Sequence, residues 1–424
     1  MHLPFYCDGS RTPVQGGDSG YSVGMLVPRL EPFRTTIFAE MTELAVCHDA
    51  INLGQGFPDE DGPAELLTAA CDAITGGFNQ YPPGAGVLAL REAISADREG
   101  RYGTIYDPDG EVLVTVGATE ALTASLLALV ERGDEVVLIE PYYDSYAAAV
   151  ALAGARHRSA RLVPNGRGFT LDLDSLREAV TPDTKVLVVN SPHNPTGTVL
   201  PAPDLAAIAE IAIDNDLIVV CDEVYEHLLF DGRVHTPLAS LPGMRERTLA
   251  VSSAGKTFSV TGWKIGWVCG PRNLVGAVRA AKQFLTFVGG GPFQPAVATA
   301  LRTQLPWVAQ HRTTLQGKRD VLARSLSTAG LVPHTSDGTY FICADPRPLG
   351  YTDAATFCRT LPGSIGVAAV PVSAFTDAAD SASWKHLVRF AFCKQHQVLE
   401  EAAKRLARLA EDPANHSGVA SEIQ

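Results

Sequence analysis

The sequence contains no uncharged apolar run that approaches the ~18 residues of a transmembrane helix, so we expect no membrane span. Its first 27 residues lack the basic stretch followed by an apolar stretch that marks a secretion signal. No cluster of lysine and arginine offsets the formal net charge of −13, which argues against general binding to nucleic acid or anionic membranes. We therefore expect a soluble cytoplasmic protein, and a small anionic ligand stays compatible with this charge.

The cysteines also lack any C-x-x-C pair. Such scattered positions favour buried, reduced thiols over a zinc site or a disulfide framework, and we expect no metal. The eight cysteines are Cys7, Cys47, Cys71, Cys221, Cys269, Cys343, Cys358 and Cys393.

The length of 424 residues exceeds what one compact core usually accommodates, whereas 46% hydrophobic and 19% charged residues are ordinary for a soluble chain. There are no internal repeats. The composition changes along the chain predict a mobile N-terminal extension (1–27), an arm that joins a small domain (28–64), a large domain (65–300), a small C-terminal domain (301–410) and a mobile tail (411–424).

Apolar β-branched runs alternate with helical patterns between residues 111 and 270. This alternation predicts an α/β fold with a mostly parallel sheet, covered by helices on both faces, plus a smaller α+β domain. In such a sheet, ligands bind beyond the carboxyl ends of the strands. The predicted strands are 111–117, 135–140, 185–190, 217–224, 248–254 and 264–270.

Residues that can bind a ligand or take part in a reaction follow four of these strands, three of which are considered first. "GATEAL" begins a helix whose free N–H groups at Ala118 and Thr119 can hold a phosphate. "NSPHNPTG" contains two prolines that restrict the direction of Asn194, and "CDEVYEH" places Asp222 at the end of a buried strand, with Tyr225 three residues later. Taken alone, the first stretch is more typical of an ordinary capped helix, whereas the second is equally compatible with a plain turn and the third with a structural aspartate.

The stretch "SSAGKTFSVTGWKIGW" (252–267) contains two lysines among small and apolar neighbours. Such neighbours suggest that Lys256 and Lys264 are at least partly buried, which lowers a lysine pKa and makes the amine nucleophilic. An ATP-binding P-loop fails here because the motif requires glycine where this chain has Ala250. A dinucleotide-binding domain also fails, because "NQYPP" instead of a buried strand precedes "GAGVLA" (84–89).

Pyridoxal phosphate (PLP) is the cofactor that accounts for both lysines, since a PLP site needs an amine, a carboxylate at the pyridine nitrogen, donors to the 3-oxygen and a phosphate cup. Lys256 supplies the amine and Asp222 the carboxylate, while Asn194 and Tyr225 supply the donors. The cup would be formed by Ala118, Thr119, Ser253 and Lys264.

The motifs "NLGQGFPD", "NQYPPGAG", "NSPHNPTG", "DEVYEHL", "SSAGKTFSVTGWKIGW" and "HLVRFAF" resemble, in this order, those of the class I/II aminotransferases of PLP fold type I. The resemblance extends from about Arg29 to Leu409 and is strongest to the kynurenine/glutamine transaminase branch. It implies that Lys256 is the Schiff-base lysine and proton-transfer base, that Asp222 keeps the pyridine nitrogen protonated, and that Tyr225 and Asn194 bond the 3-oxygen.

The resemblance assigns further residues to the cofactor and the substrate. Tyr143 would stack on the cofactor ring, and Tyr81 would reach the phosphate of the neighbouring subunit, which implies a homodimer with shared active sites. Arg389, Gly56 and Asn194 would bind the substrate α-carboxylate, although an isolated arginine in "LVRFAF" is also typical of a structural ion pair. Many family members carry arginine where this chain has Lys264, so we expect a point-charge contact to the phosphate.

The resemblance implies transfer of an amino group between glutamate and a 2-oxo acid. "GTYFICADPRPLGY" and "GVAAVPVSAF" are similar to the branch that makes N-succinyl-diaminopimelate in lysine biosynthesis, so the leading acceptor is N-succinyl-2-amino-6-oxopimelate. The alternatives are a broad kynurenine, methionine or glutamine transaminase, a cysteine-conjugate β-lyase, and a non-catalytic subunit. The last has no need of the amine at Lys256.

Overall fold

The computed structural model describes residues 27–34, 36–377 and 381–411. Apart from Val27 and Glu411, the two ends predicted to be mobile lie outside these residues. None of the helices in these ranges combines the length and the apolar character needed to cross a membrane.

A central sheet of eight strands organises the described residues, in the order β2-β9-β8-β7-β6-β3-β4-β5. Most neighbours pair in parallel, which confirms the predicted sheet, whereas β9 is antiparallel to both β2 and β8. The strands are β1 (Ile51–Asn52), β2 (Val112–Val116), β3 (Glu135–Glu140), β4 (Arg156–Asn165), β5 (Gly168–Leu171), β6 (Thr184–Asn190), β7 (Ile218–Asp222), β8 (Thr248–Ser253), β9 (Ile265–Cys269), β10 (Val332–Pro333), β11 (Phe341–Asp345), β12 (Val367–Ala368), β13 (Val370–Pro371) and β14 (Val388–Ala391).

Helices cover both faces of this sheet. The α-helices are α1 (Ile37–Cys47), α2 (Ala64–Thr75), α3 (Leu88–Tyr102), α4 (Gly117–Leu129), α5 (Ser145–Ala153), α6 (Leu173–Ala179), α7 (Ala202–Asp214), α8 (Ala254–Thr257), α9 (Arg272–Lys282), α10 (Phe293–Thr303), α11 (Leu305–Thr328), α12 (Ala354–Ile365), α13 (Ser381–Trp384) and α14 (His396–Glu411), and short 3₁₀ turns span Pro28–Phe33, Leu238–Ser240, Thr261–Trp263, Arg347–Leu349 and Val372–Phe375.

The continuous apolar sequence of the inner strands follows from burial on both faces. Successive side chains of a strand point to opposite faces, so Val136 and Leu138 pack with helices α4, α5 and α9, whereas Val137 and Ile139 pack with α6 and α7. A polar residue on either face would lie buried against a helix, and this accounts for the near absence of alternation in β3.

A second sheet of four strands, in the order β10-β11-β14-β13, packs with α11, α12 and α14 around a separate core. The chain that precedes the large sheet joins this core, because Met41 and Leu53 belong to it and β1 pairs with β12. These contacts accord with an arm that joins a small domain, and the exact domain boundaries stay a prediction.

Strands β2, β6, β7 and β8 all end at the same edge of the large sheet, because they run parallel to one another. The antiparallel β9 begins at that edge, directly after Lys264. The polar residues that follow the strands therefore meet at one place, as the sequence predicted.

Candidate active site

Every site residue predicted from the sequence, except Tyr81, lines a single cavity beyond this edge of the sheet. The shared lining residues are Gly56, Ala118, Thr119, Tyr143, Asn194, Asp222, Tyr225, Ser253, Lys256, Lys264 and Arg389. These residues span more than 330 positions of the chain, so the fold alone brings them together.

Lys256 lies on the short helix α8, which follows β8 directly. Burial lowers the pKa of its amine to about 8, although the nearby Cys393 thiol and Asp222 carboxylate act in the opposite direction. A substantial fraction of this amine is therefore neutral near pH 8, which is the form that attacks a carbonyl or accepts a proton. The amine donates a hydrogen bond of 2.7 Å to the hydroxyl of Tyr340.

Asp222 is the last residue of β7 and lies buried at the base of the cavity. Its carboxylate accepts hydrogen bonds from the Tyr146 hydroxyl at 2.6 Å and from the Val224 N–H at 3.2 Å. Burial raises the pKa of Asp222, and these two donors together with Lys256 oppose that rise. No arginine or lysine in the described part of the chain forms an ion pair with this carboxylate, so it is well suited to pair with a protonated ring nitrogen.

The N-terminus of α4 faces the cavity through Gly117, Ala118 and Thr119. Gly117 has a φ of 74°, and a Cβ at Gly266 would lie 2.5 Å from the Gly117 carbonyl carbon, so both positions require glycine. Lys264 extends to this helix start, since a Cβ at Gly117 would lie 3.1 Å from its Nζ. Free N–H groups, a helix N-terminus and a lysine together form an anion site.

Lys264 is exposed, and the expectation that it is partly buried was wrong. Its aromatic neighbours pack elsewhere: Trp263 stacks on Phe293 with ring centroids 4.6 Å apart, and Trp267 lies in the core. Lys264 itself adopts the left-handed conformation, with a φ of 54°. Its side chain is therefore directed to the helix start instead of into the protein.

Arg389 lies on β14 of the small sheet and is only 1% exposed. It donates hydrogen bonds to the Asn194 side-chain oxygen at 2.9 Å and to the Gly54 carbonyl at 2.7 Å, while its Nε has no partner. Among the described residues no carboxylate forms an ion pair with it, and burial lowers its pKa to about 10. A buried cation with a free donor that lines a cavity is suited to an anionic group of a ligand, so the structural ion pair that the sequence left open is not found here.

Asn194 and Tyr225 flank the space between Asp222 and Arg389. The Asn194 N–H bonds the Asn190 side chain at 2.8 Å, which fixes the loop after β6. Burial raises the pKa of Tyr225, so its hydroxyl stays protonated and able to donate. Tyr143, whose pKa is raised to about 12 by burial, also lines the cavity.

Sequence reasoning missed Tyr146, Asn190, Tyr340 and Phe341. Tyr146 and Asn190 could have been found, because the first lies one helical turn after Tyr143 and the second ends a strand at the ligand edge. Tyr340 and Phe341 come from the small sheet, and no local pattern links them to residues on the large sheet.

Tyr81 lies outside the cavity and is 81% exposed, with its ring 5.6 Å from that of Phe287. A single chain therefore does not place this tyrosine at its own site. Its assignment to the site of a neighbouring subunit stays a prediction.

A second polar cluster, outside the cavity lining, includes the residues that directly follow Asp222 and Tyr225 in the sequence. Glu223, Glu226 and His235 bring three possible metal ligands within 4.8 Å of one another. Arg98 of α3 already neutralises the two carboxylates, at 2.6 Å from Glu223 and 2.7 Å from Glu226. Because this guanidinium occupies the position between the acids, the cluster is better suited to an ion pair than to a metal.

Fold and cavity together are those of a PLP-dependent transferase, and the comparison with protein families agrees. The model of the family "Aminotransferase class I and II" matches residues 48–406, and the chain belongs to this family. Enzymes of this family use pyridoxal phosphate. The buried acid, the amine of lowered pKa and the helix N-terminus with its lysine fit that cofactor.

The chain is 60% identical to the probable N-succinyldiaminopimelate aminotransferase DapC of Mycobacterium tuberculosis, over 92% of this chain and 100% of that protein. It is 40% identical to the methionine aminotransferase of Escherichia coli, over 91% of this chain and 99% of the relative. The solved structure of the M. tuberculosis N-succinyldiaminopimelate aminotransferase superposes with a TM-score of 0.89 and covers 91% of this chain and 100% of its own. The chain is therefore an aminotransferase.

Proposed function

We propose that this aminotransferase transfers the amino group of glutamate to N-succinyl-2-amino-6-oxopimelate. The observation that carries the proposal is the 60% identity over the full length of the M. tuberculosis enzyme, against 40% for the methionine enzyme and 36% for a kynurenine–oxoglutarate transaminase of Dictyostelium discoideum. A pathway in lysine biosynthesis and a cytoplasmic location accompany this assignment.

The cavity residues would have separate roles in binding the cofactor. When bound, pyridoxal phosphate supplies a reactive carbonyl and a ring that accepts electrons from the substrate α-carbon. Asp222 would hold the proton on the ring nitrogen, and Asn194 and Tyr225 would donate to the ring oxygen. The start of α4, with Ser253 and Lys264, would bind the phosphate. Tyr143 would pack against the ring.

Lys256 would transfer the proton of the substrate α-carbon. Its Nζ would accept the proton that leaves the substrate α-carbon and would return it to the carbon on the other side of the amino nitrogen. The neutral fraction that follows from a pKa of about 8 lets one amine serve in both directions.

Arg389 orients the substrate. Its free Nε and one Nη can bind the α-carboxylate in a fork, and the neighbouring Gly56 lines the same end of the cavity. The Phe341 ring, with its centroid 4.0 Å from the guanidinium carbon, excludes water from this contact. A substrate held in this way presents its α-carbon to Lys256.

We also propose a homodimer in which Tyr81 reaches the phosphate of the neighbouring site. Exposed apolar side chains in two segments support this assembly, since large apolar groups at the surface mark interfaces. Tyr81 and Phe287 join the two segments by a ring contact, and the exposed residues are Phe78, Tyr81, Phe284, Leu285 and Phe287, with exposures between 45% and 85%.

Purified holoenzyme tests the function in the reverse direction, with 2-oxoglutarate as acceptor and N-succinyl-diaminopimelate, kynurenine or methionine as donor. We expect kcat/KM for the succinylated donor to exceed the other two by at least about tenfold, since one distal group is worth about 1–3 kcal/mol. Equal or better turnover of kynurenine or methionine would replace this proposal with a broad-specificity transaminase. Lys256→Ala must abolish turnover, whereas Lys185→Ala, an exposed lysine at the far end of β6, serves as the matched control.

A further inference from the structure

Tyr340 makes two short hydrogen bonds at the edge of the cavity. Its hydroxyl oxygen lies 2.7 Å from the Nζ of Lys256 and 2.5 Å from the carbonyl oxygen of Gly56. The residue precedes β11 in the small sheet and is 1% exposed, so its ring has little freedom to move. Its position thus joins the amine to the loop that carries Gly54 and Gly56.

The directions of both bonds follow from the atoms involved. A carbonyl oxygen only accepts, so the 2.5 Å contact with Gly56 requires the one hydrogen of the tyrosine hydroxyl. That hydrogen is then not available to Lys256, and the amine must be the donor in the second bond. A neutral amine that donates one hydrogen retains its lone pair for another partner.

The packing around Tyr340 maintains this arrangement. Its ring meets those of Tyr225 and Phe341 edge-on, with centroids 5.2 Å and 4.8 Å apart. The Lys256 Nζ lies 5.3 Å from the Tyr340 ring centroid and 5.7 Å from that of Tyr225. Burial also raises the pKa of Tyr340, which keeps its hydroxyl protonated.

We propose that Tyr340 is a positioning residue, which holds the amine of Lys256 by accepting a hydrogen bond and so leaves the amine lone pair directed at the substrate α-carbon. The Gly56 carbonyl is the third member of the arrangement, because it takes the hydrogen that would otherwise block the lone pair. The inference rests on the proposed role of Lys256 and adds a residue that the sequence motifs did not single out.

The test uses the holoenzyme in the presence of excess glutamate, which leaves the Lys256 amine free. The amine is labelled with an acylating reagent over a range of pH, and mass spectrometry quantifies the Lys256 peptide. An accepted hydrogen bond stabilises the ammonium more than the amine, so in Tyr340→Phe we expect the labelling midpoint to fall by about half a pH unit to one unit. We also expect kcat to fall roughly three- to tenfold with KM unchanged.

Tyr106→Phe is the matched control, because Tyr106 is equally buried, lies in another core cluster and has a hydroxyl without a partner. Its midpoint and kcat should equal those of the wild type. If Tyr340→Phe behaves like Tyr106→Phe in both measurements, the positioning role is wrong. If glutamate does not make Lys256 of the wild type available for labelling, the role of Lys256 itself is wrong, and the inference falls with it.

Discussion

Tyr146 donates its phenolic hydrogen to the Oδ2 of Asp222 at 2.6 Å, from the first turn of α5 to the end of β7. The bond stabilises the charged carboxylate, and it acts against the burial that raises the pKa of Asp222. In the proposed function, Asp222 must stay ionised to hold a proton on a ring nitrogen. Tyr146 would then contribute to catalysis through this acid.

Tyr146→Phe removes this donor, so the pKa of Asp222 should rise further. We expect the acid limb of the kcat–pH profile to move to higher pH by about one unit, since a hydrogen bond to a charged group is worth about 1.5–3 kcal/mol and part of it will be replaced. Steady-state kinetics between pH 5 and 9 measure the shift. An acid limb in the same position would contradict this role, and Tyr106→Phe is again the control for loss of a buried hydroxyl.

The role proposed for Arg389 predicts how a substitution changes KM for the two substrates. Arg389→Lys keeps a charge but loses the fork, so KM should rise by about 10- to 100-fold for both glutamate and the 2-oxo acid, because both carry an α-carboxylate. Arg347→Lys is the matched control, since Arg347 is an exposed arginine that pairs with Asp345. A KM that changes for only one of the two substrates would show that Arg389 binds a distal group instead.

The buried ion pair that Arg98 forms with Glu223 and Glu226 predicts that the protein is sensitive to acid. Burial would raise the pKa of Glu226, but Arg98 and two histidines outweigh it and lower the pKa to about 2. Since the folded-state value lies below the unfolded value of about 4.3, the stabilisation is complete above that pH and is lost as the pH falls toward the folded value. Urea unfolding between pH 3 and 7 should show this loss in the wild type. Glu226→Gln should flatten the profile, and an unchanged slope would mean that other carboxylates dominate.

The residues at the strand ends were predictable from the sequence pattern, whereas Tyr340 and Phe341, at the start of β11, were not. Asp222, Ser253 and Asn194 follow apolar β-branched runs, and parallel strands bring such positions to one edge. The antiparallel direction of β9 has no signal in its apolar sequence, and Lys264 was expected to be buried because nothing local shows where its aromatic neighbours pack. Tyr340 and Lys256 are 84 residues apart in the sequence, and their hydrogen bond forms only because the two sheets pack together.

Arg389 shows how a resemblance and a structure complement each other. "LVRFAF" alone favours a structural ion pair, and only the family pattern assigned the arginine to a substrate. The structure adds the physical reason: the side chain is enclosed by aromatic rings, has no carboxylate partner among the described residues and retains a free Nε. Such a cation is costly to bury unless a ligand uses it.

Tyr81 provides the test of the dimer. If its hydroxyl binds the phosphate of the neighbouring site, Tyr81→Phe should release pyridoxal phosphate faster on dialysis, measured by the loss of visible absorbance. Lys256→Ala has an intact Tyr81, so unfolding and refolding the two variants together should form mixed dimers with one complete site, which regain cofactor retention and turnover. The mixture of Lys256→Ala and Arg389→Ala is the control, because both residues line one cavity of a single chain and no mixed dimer has a complete site. Recovery in the control mixture, or none in the Tyr81 mixture, would place Tyr81 outside a shared active site.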